Sequence, residues 1–124
     1  MNVALLGTGL LGQAVAERLH ATGHTLSAYN RSAEKTLALR QQGIAIASNA
    51  AEAISAADVV LLLLSDATAI RAVLFEPPTS RAIRGRTLIQ MGTIGPSESC
   101  SIQAAVEDLG GRYLEAPVLG SIAE

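Results

Sequence analysis

The chain has 124 residues, 49% of them hydrophobic and 16% charged, with a formal net charge of -2. That length suits a single domain, and an apolar fraction near one half excludes a disordered chain. The weak negative charge, without any basic run, speaks against nucleic acid or an anionic membrane as a partner.

Asn2–Leu6 is a short apolar run that reads as a first strand and stops at Gly7. Leu11, Ala14, Val15 and Leu19 then recur at helical spacing, and Gly23 stands where a helix C-cap glycine belongs. Thr25–Tyr29 reads as the second strand. Ser32 is a good N-cap for a helix over Ala33–Gln42, closed by Gly43. Ile44–Ala47 is the third strand, and Asn49 caps a short helix through Ala56. The run Val59–Leu64 is apolar without alternation, as expected of a strand buried on both faces of a parallel sheet. A helix is expected from Asp66 to Phe75, broken by Pro77-Pro78. Thr87–Gln90 is the fifth strand, Ser97–Leu109 a helix closed by Gly110-Gly111, and Arg112–Glu115 the sixth strand. Six strands alternating with helices describe a three-layer α/β domain with a doubly wound parallel sheet. In the Rossmann-type, dinucleotide-binding version the strand order is 3-2-1-4-5-6.

Gly7-Thr8-Gly9-Leu10-Leu11-Gly12 is a G-x-G-x-x-G turn between the first strand and the first helix. Gly7 allows the tight turn, Gly9 lets backbone approach a pyrophosphate, and Gly12 lets the helix lie close to the strand. The helix N-terminus offers free N–H groups and its positive dipole end to the phosphates. As a bare pattern the signal is weak; its placement between a strand and an amphipathic helix makes it strong.

The end of the second strand selects the cofactor. NAD-binding domains usually place Asp or Glu about 20 residues past the glycines to take the ribose hydroxyls. Here the stretch is Tyr29-Asn30-Arg31-Ser32, with no carboxylate to repel a 2′-phosphate. Asn30 is suited to the ribose, Arg31 to the phosphate, and Ser32 to donation from hydroxyl and backbone. Lys35 adds charge one turn on, so NADP is expected over NAD. The plain alternative is that Arg31 and Lys35 are solvated surface residues and Ser32 only a cap. Two further strand ends face the same crevice: Leu64-Ser65-Asp66 and Met91-Gly92-Thr93. Ser65 and Thr93 offer hydroxyls to a cofactor ribose or nicotinamide amide; helix capping by Asp66 is the alternative there, and both readings can hold.

Together these positions resemble the β-hydroxyacid dehydrogenase family, which includes 3-hydroxyisobutyrate, tartronate semialdehyde and 6-phosphogluconate dehydrogenases. Related semialdehyde and imine reductases share its scaffold. The resemblance is carried by Gly7-Thr8-Gly9-Leu10-Leu11-Gly12, Asn30-Arg31-Ser32, Gly92-Thr93-Ile94-Gly95-Pro96 and Glu115-Ala116-Pro117-Val118-Leu119-Gly120-Ser121, in family order. It implies nicotinamide-dependent oxidation of a short β-hydroxy acid, or the reverse semialdehyde reduction. It also implies a substrate-carboxylate site at Leu119, Gly120 and Ser121. The family segment commonly reads Asp-Ala-Pro-Val-Ser-Gly-Gly, so Leu119 replaces a serine and Ser121 a glycine. A branched alkyl group cannot hydrogen-bond a carboxylate; either the substrate differs or Ser121 supplies the donor.

Family members move the hydroxyl proton with a lysine on a long helix beyond this segment. Lys35, the only lysine among nine basic residues, stands instead beside the adenosine end. No catalytic residue is therefore expected within residues 1–124, nor the helical domain that closes the pocket and joins a homo-oligomer. Two readings follow: the cofactor-binding half of a dehydrogenase, inactive alone, or a free-standing NADP-binding module. A short-chain dehydrogenase would need Tyr-x-x-x-Lys, but Tyr113 is followed by Pro117. A methyltransferase would want an acid where Asn30-Arg31 stands, and a nucleotide-sensing domain would leave Glu115–Ser121 unexplained. Cys100 is the one cysteine and His20 and His24 the two histidines, so neither a disulfide nor a metal site is expected. With no basic leader and no apolar run near the ~20 residues that cross a bilayer, a cytoplasmic protein without membrane contact is expected.

Overall fold

The computed structural model describes residues 1–64, 66–92 and 94–116. Its strands are β1 (Asn2–Leu6), β2 (Thr25–Tyr29), β3 (Ala45–Ile46), β4 (Val59–Leu62), β5 (Thr87–Gln90) and β6 (Arg112–Glu115). All pair in parallel, in the order β3-β2-β1-β4-β5-β6 expected of a Rossmann sheet. Leu6 is level with Tyr29 and with Leu62, and Leu62 with Gln90, so four strands end along one line. That line is the lip of the crevice.

Helices cover both faces. On one, α1 (Leu10–Ala21) and α2 (Leu37–Gln41) set Ala16 and Leu39 against Val3, Leu5 and Leu26. On the other, α3 (Ala50–Ser55), α4 (Ala67–Leu74), α5 (Thr79–Ala82) and α6 (Pro96–Asp108) pack over Ala4, Leu6, Val60, Leu62 and Leu88. Because β1 and β4 are covered on both sides, their side chains need no polar alternation. Asn49 caps α3, its Oδ1 accepting from the Glu52 N–H at 2.8 Å. Gly23, just past α1 with φ +92°, closes that helix as expected. The buried Tyr113 hydroxyl lies 2.9 Å from Ser99 Oγ, tying β6 to α6. Burial pushes its pKa above the ordinary 10.0, although the Ser99 bond pulls the other way.

Several sequence expectations shift. The helix expected over Ala33–Gln42 is a 3-10 turn (Ala33–Thr36) followed by the short α2, and Ser32 makes no capping bond with its side chain. β3 shrinks from Ile44–Ala47 to two residues, because it lies at the sheet edge with only β2 beside it. β4 ends at Leu62 rather than Leu64, level with the ends of β1 and β5; beyond it the Leu63 N–H still donates to the Leu6 carbonyl at 2.9 Å. α5 was not expected at all: its four residues are too short to show a period.

At the opposite edge from the crevice, Arg86 locks the crossover between α3 and β4. Its Nε donates to the carbonyls of Ile54 (3.2 Å) and Ala57 (3.3 Å), Nη2 to Ser55 (2.9 Å) and Nη1 to Arg84 (3.0 Å). A guanidinium suits the negative end of a helix and its unpaired carbonyls. Arg86→Ala is expected to cost about 2 kcal/mol in urea unfolding, with Arg86→Lys recovering less than half because one ammonium cannot span these carbonyls. Among the described residues no helix is long and apolar enough to cross a membrane, and no group of three or more side chains is placed to hold a metal.

Candidate dinucleotide site

The three glycines of the turn are required for different reasons. Gly7 has φ +103°, and a Cβ there would lie 2.5 Å from the Leu63 carbonyl oxygen of the adjoining strand end. A Cβ on Gly12 would run into the Gly7 carbonyl, so α1 can start this close to the turn only with glycine there. Gly9 is different: among the described residues nothing lies within 4 Å of its would-be Cβ, and its φ of -69° suits any residue. The fold itself does not need glycine at this position. Open space over Gly9 fits a pyrophosphate resting against the backbone. Leu10, 79% exposed, and the half-buried Leu11 begin α1, whose first N–H groups have no intrahelical acceptor.

Thr8 behaves unlike a ligand. It is fully buried; its N–H donates to Asn30 Oδ1 at 3.0 Å and its hydroxyl donates to the Lys35 carbonyl at 3.1 Å. Asn30 in turn donates from Nδ2 to the Ser32 carbonyl at 3.1 Å. Both ends of the Asn30 carboxamide are thus occupied within the protein, joining the glycine turn to the loop after β2. The sequence places Asn30 on the ribose; the structure makes it a brace between two loops.

A groove of about 460 Å³ opens at the carboxyl ends of β1, β2 and β4. Gly7, Asn30 and Arg31 line it, together with the apolar Leu64, Ala69 and Val73. An aliphatic lining with a guanidinium among it suits a planar base, and the volume lies in the usual range for ligand pockets. None of the described lining residues is acidic. Arg31 and Lys35 are both exposed, and Ser32 is half-buried beside them.

Asp66 caps α4, its Oδ1 accepting from the Ala69 N–H at 2.8 Å, so the capping reading holds for it. Ser65, Thr93, Leu119, Gly120 and Ser121 lie outside the described residues. Leu64 is brought to the groove as expected. Tyr29, Asn49 and Thr79 also line the groove, and sequence reasoning did not assign them to it. Only Tyr29 carried a signal, as the last residue of the second strand. Gln90, at the end of β5, was likewise missed: it is fully buried, donates from Nε2 to the Gly92 carbonyl at 3.3 Å, and its Oε1 has no partner among the described residues.

Comparison with known proteins agrees with this geometry. Residues 2–124 match the family described as the NAD binding domain of 6-phosphogluconate dehydrogenase. Cytokine-like nuclear factor N-PAC of Danio rerio is 34% identical over 122 residues, which is 97% of this chain and 26% of that protein. Glyoxylate/succinic semialdehyde reductase 1 of Arabidopsis thaliana is 31% identical over 123 residues, 98% of this chain and 43% of that protein. The chain therefore spans less than half the length of these curated relatives. An imine reductase of Streptomyces aurantiacus superposes with a TM-score of 0.93 at 30% identity, covering 98% of this chain and 42% of that one. The glycine turn, the strand order and a match over nearly the whole chain converge: the protein belongs to the family of the NAD-binding domain of 6-phosphogluconate dehydrogenase, a domain that binds a nicotinamide dinucleotide.

Proposed function

We propose that this chain binds NADP(H) in preference to NAD(H), as the cofactor domain of an oxidoreductase that transfers hydride at the CH–OH carbon of a short β-hydroxy acid or the matching semialdehyde. The observation that carries the preference is a groove whose described lining holds Arg31 and no carboxylate, with the exposed Lys35 on the adjoining loop. A 2′-phosphate gains charge-assisted bonds from Arg31, whereas a ribose hydroxyl finds no acid to accept from it. A bound cofactor would accept hydride from the hydroxy acid in its oxidised form or give it to the semialdehyde in its reduced form; Gly7–Gly12 would seat its pyrophosphate, and Leu64, Ala69 and Val73 would exclude water from its base. Fluorescence titration of the chain with NADPH and NADH tests this. NADPH is expected to bind at least about tenfold more tightly, since one charge-assisted hydrogen bond contributes about 1.5–3 kcal/mol. Equal affinities would sink the preference.

The similarity to the Arabidopsis semialdehyde reductase supports the substrate class, and the likeness to an imine reductase supports a second one, reduction of C=N. A turnover panel of semialdehydes and cyclic imines with the intact protein separates them.

A further inference from the structure

Thr8 occupies the first variable position of G-x-G-x-x-G, where a ligand-facing role would put its side chain toward the pyrophosphate. It is instead wholly buried and turned toward the loop that follows β2. Four hydrogen bonds close a ring there. The Thr8 N–H donates to Asn30 Oδ1 at 3.0 Å, and Asn30 Nδ2 donates to the Ser32 carbonyl at 3.1 Å. The Lys35 N–H also donates to the Ser32 carbonyl at 3.1 Å, and the Thr8 hydroxyl donates to the Lys35 carbonyl at 3.1 Å. Arg31 lies between the two points that Thr8 holds. Both Arg31 and Lys35 are exposed, so their own side chains do little to fix the backbone that carries them.

We propose that Thr8 is a specificity-positioning residue, setting the 2′-phosphate end of the site from within the pyrophosphate turn. This rests on the NADP preference proposed above. Its hydroxyl fixes the Lys35 carbonyl, so Arg31, Ser32 and Lys35 are presented in one arrangement before the cofactor arrives. Ordering that loop in advance lowers the entropy cost of binding, and only a cofactor bearing a 2′-phosphate collects the benefit. A hydroxyl is needed at residue 8 for the loop, not for the phosphates.

The test compares wild type, Thr8→Val, Thr8→Ser and Asn30→Ala in titrations with NADPH and NADH, alongside thermal unfolding. Valine matches threonine in shape and lacks only the donor. Thr8→Val is expected to weaken NADPH about five- to tenfold, the scale of one hydrogen bond, while NADH stays within about twofold. Thr8→Ser restores the wild-type ratio. Asn30→Ala cuts the other arm of the ring and lowers the NADPH-to-NADH ratio in the same direction, which decides the matter if Thr8→Val does not fold. Equal losses for both cofactors in the folded variant, or an unchanged ratio, would overturn the proposal. An Arg31→Ala reference separates the two claims. If wild type shows no preference, or Arg31→Ala leaves it intact, the 2′-phosphate reading fails and takes this inference with it. If Arg31→Ala abolishes the preference and Thr8→Val does not reduce it, only the role of Thr8 fails.

Discussion

Gly9→Val is expected to weaken NADPH binding by at least about 100-fold while changing the unfolding free energy by no more than about 1 kcal/mol. The backbone of Gly9 is extended and open, so valine meets no protein atom among the described residues within 4 Å of its Cβ. The same methyl groups occupy the space where a pyrophosphate would contact the N–H groups at the start of α1. Losing two charge-assisted bonds removes at least about 3 kcal/mol, and each 1.4 kcal/mol is tenfold in affinity. Gly12→Ala makes the contrast. Its Cβ strikes the Gly7 carbonyl, so the variant loses about 1–3 kcal/mol of stability through forced displacement of the turn. Gly7→Ala loses more, because the clash with Leu63 adds to the strain of a positive φ. Urea unfolding combined with NADPH titration sorts the three. If Gly9→Val bound NADPH like wild type, the turn would not be the pyrophosphate site.

The same contrast shows what a sequence can disclose. Three glycines at fixed spacing after a strand announce the turn, but only packing tells which of them serve the fold and which leaves room for a ligand. Strands were legible because β1 and β4 are nearly unbroken apolar runs and β2 alternates polar and apolar residues; their order followed from taking the alternation with helices as the dinucleotide-binding type. Ends were less legible. Val59–Leu64 is uniformly apolar, and nothing in its letters says that pairing stops at Leu62; the lengths of β1 and β5 decide that. The Ala33–Gln42 stretch has helical composition, yet Thr8 holds the Lys35 carbonyl and the first turn winds as 3-10. Contacts of that kind join residues 27 positions apart. Asn30, expected near the cofactor from its position after β2, lines the groove, but its hydrogen bonds to Thr8 and Ser32 join partners that spacing does not reveal. Thr79 and Asn49 reach the groove through α5 and the loop before α3, neither of which carries a binding pattern. Gln90 reads as the last residue of a strand, and its burial is visible only once β4 and β6 pair on either side of it.

Arg31→Glu is expected to reverse cofactor preference, with the shift falling almost wholly on NADPH. In the proposed site the Arg31 guanidinium stands at the rim of a groove without described acidic lining, on a loop anchored at Asn30 and Lys35. Replacing it with glutamate removes one or more charge-assisted bonds to the 2′-phosphate and adds repulsion between like charges. The first effect amounts to about 1.5–3 kcal/mol, so NADPH affinity is expected to fall about 10- to 100-fold or more. NADH has no 2′-phosphate to lose, and the new carboxylate accepts from its ribose hydroxyls as acids do in NAD-binding domains. NADH affinity is therefore expected to hold or rise. Ionic strength supplies an independent readout. Arg31 is exposed, so its attraction for the phosphate is screened at distances near 10 Å in about 0.1 M salt. Wild-type NADPH affinity is expected to drop as salt increases, NADH affinity to change little, and Arg31→Glu to abolish or invert the NADPH slope. Parallel slopes for NADPH in wild type and variant would mean that the phosphate binds elsewhere. Arg31 would then be a solvated surface residue, and the 2′-phosphate reading built on it would fail.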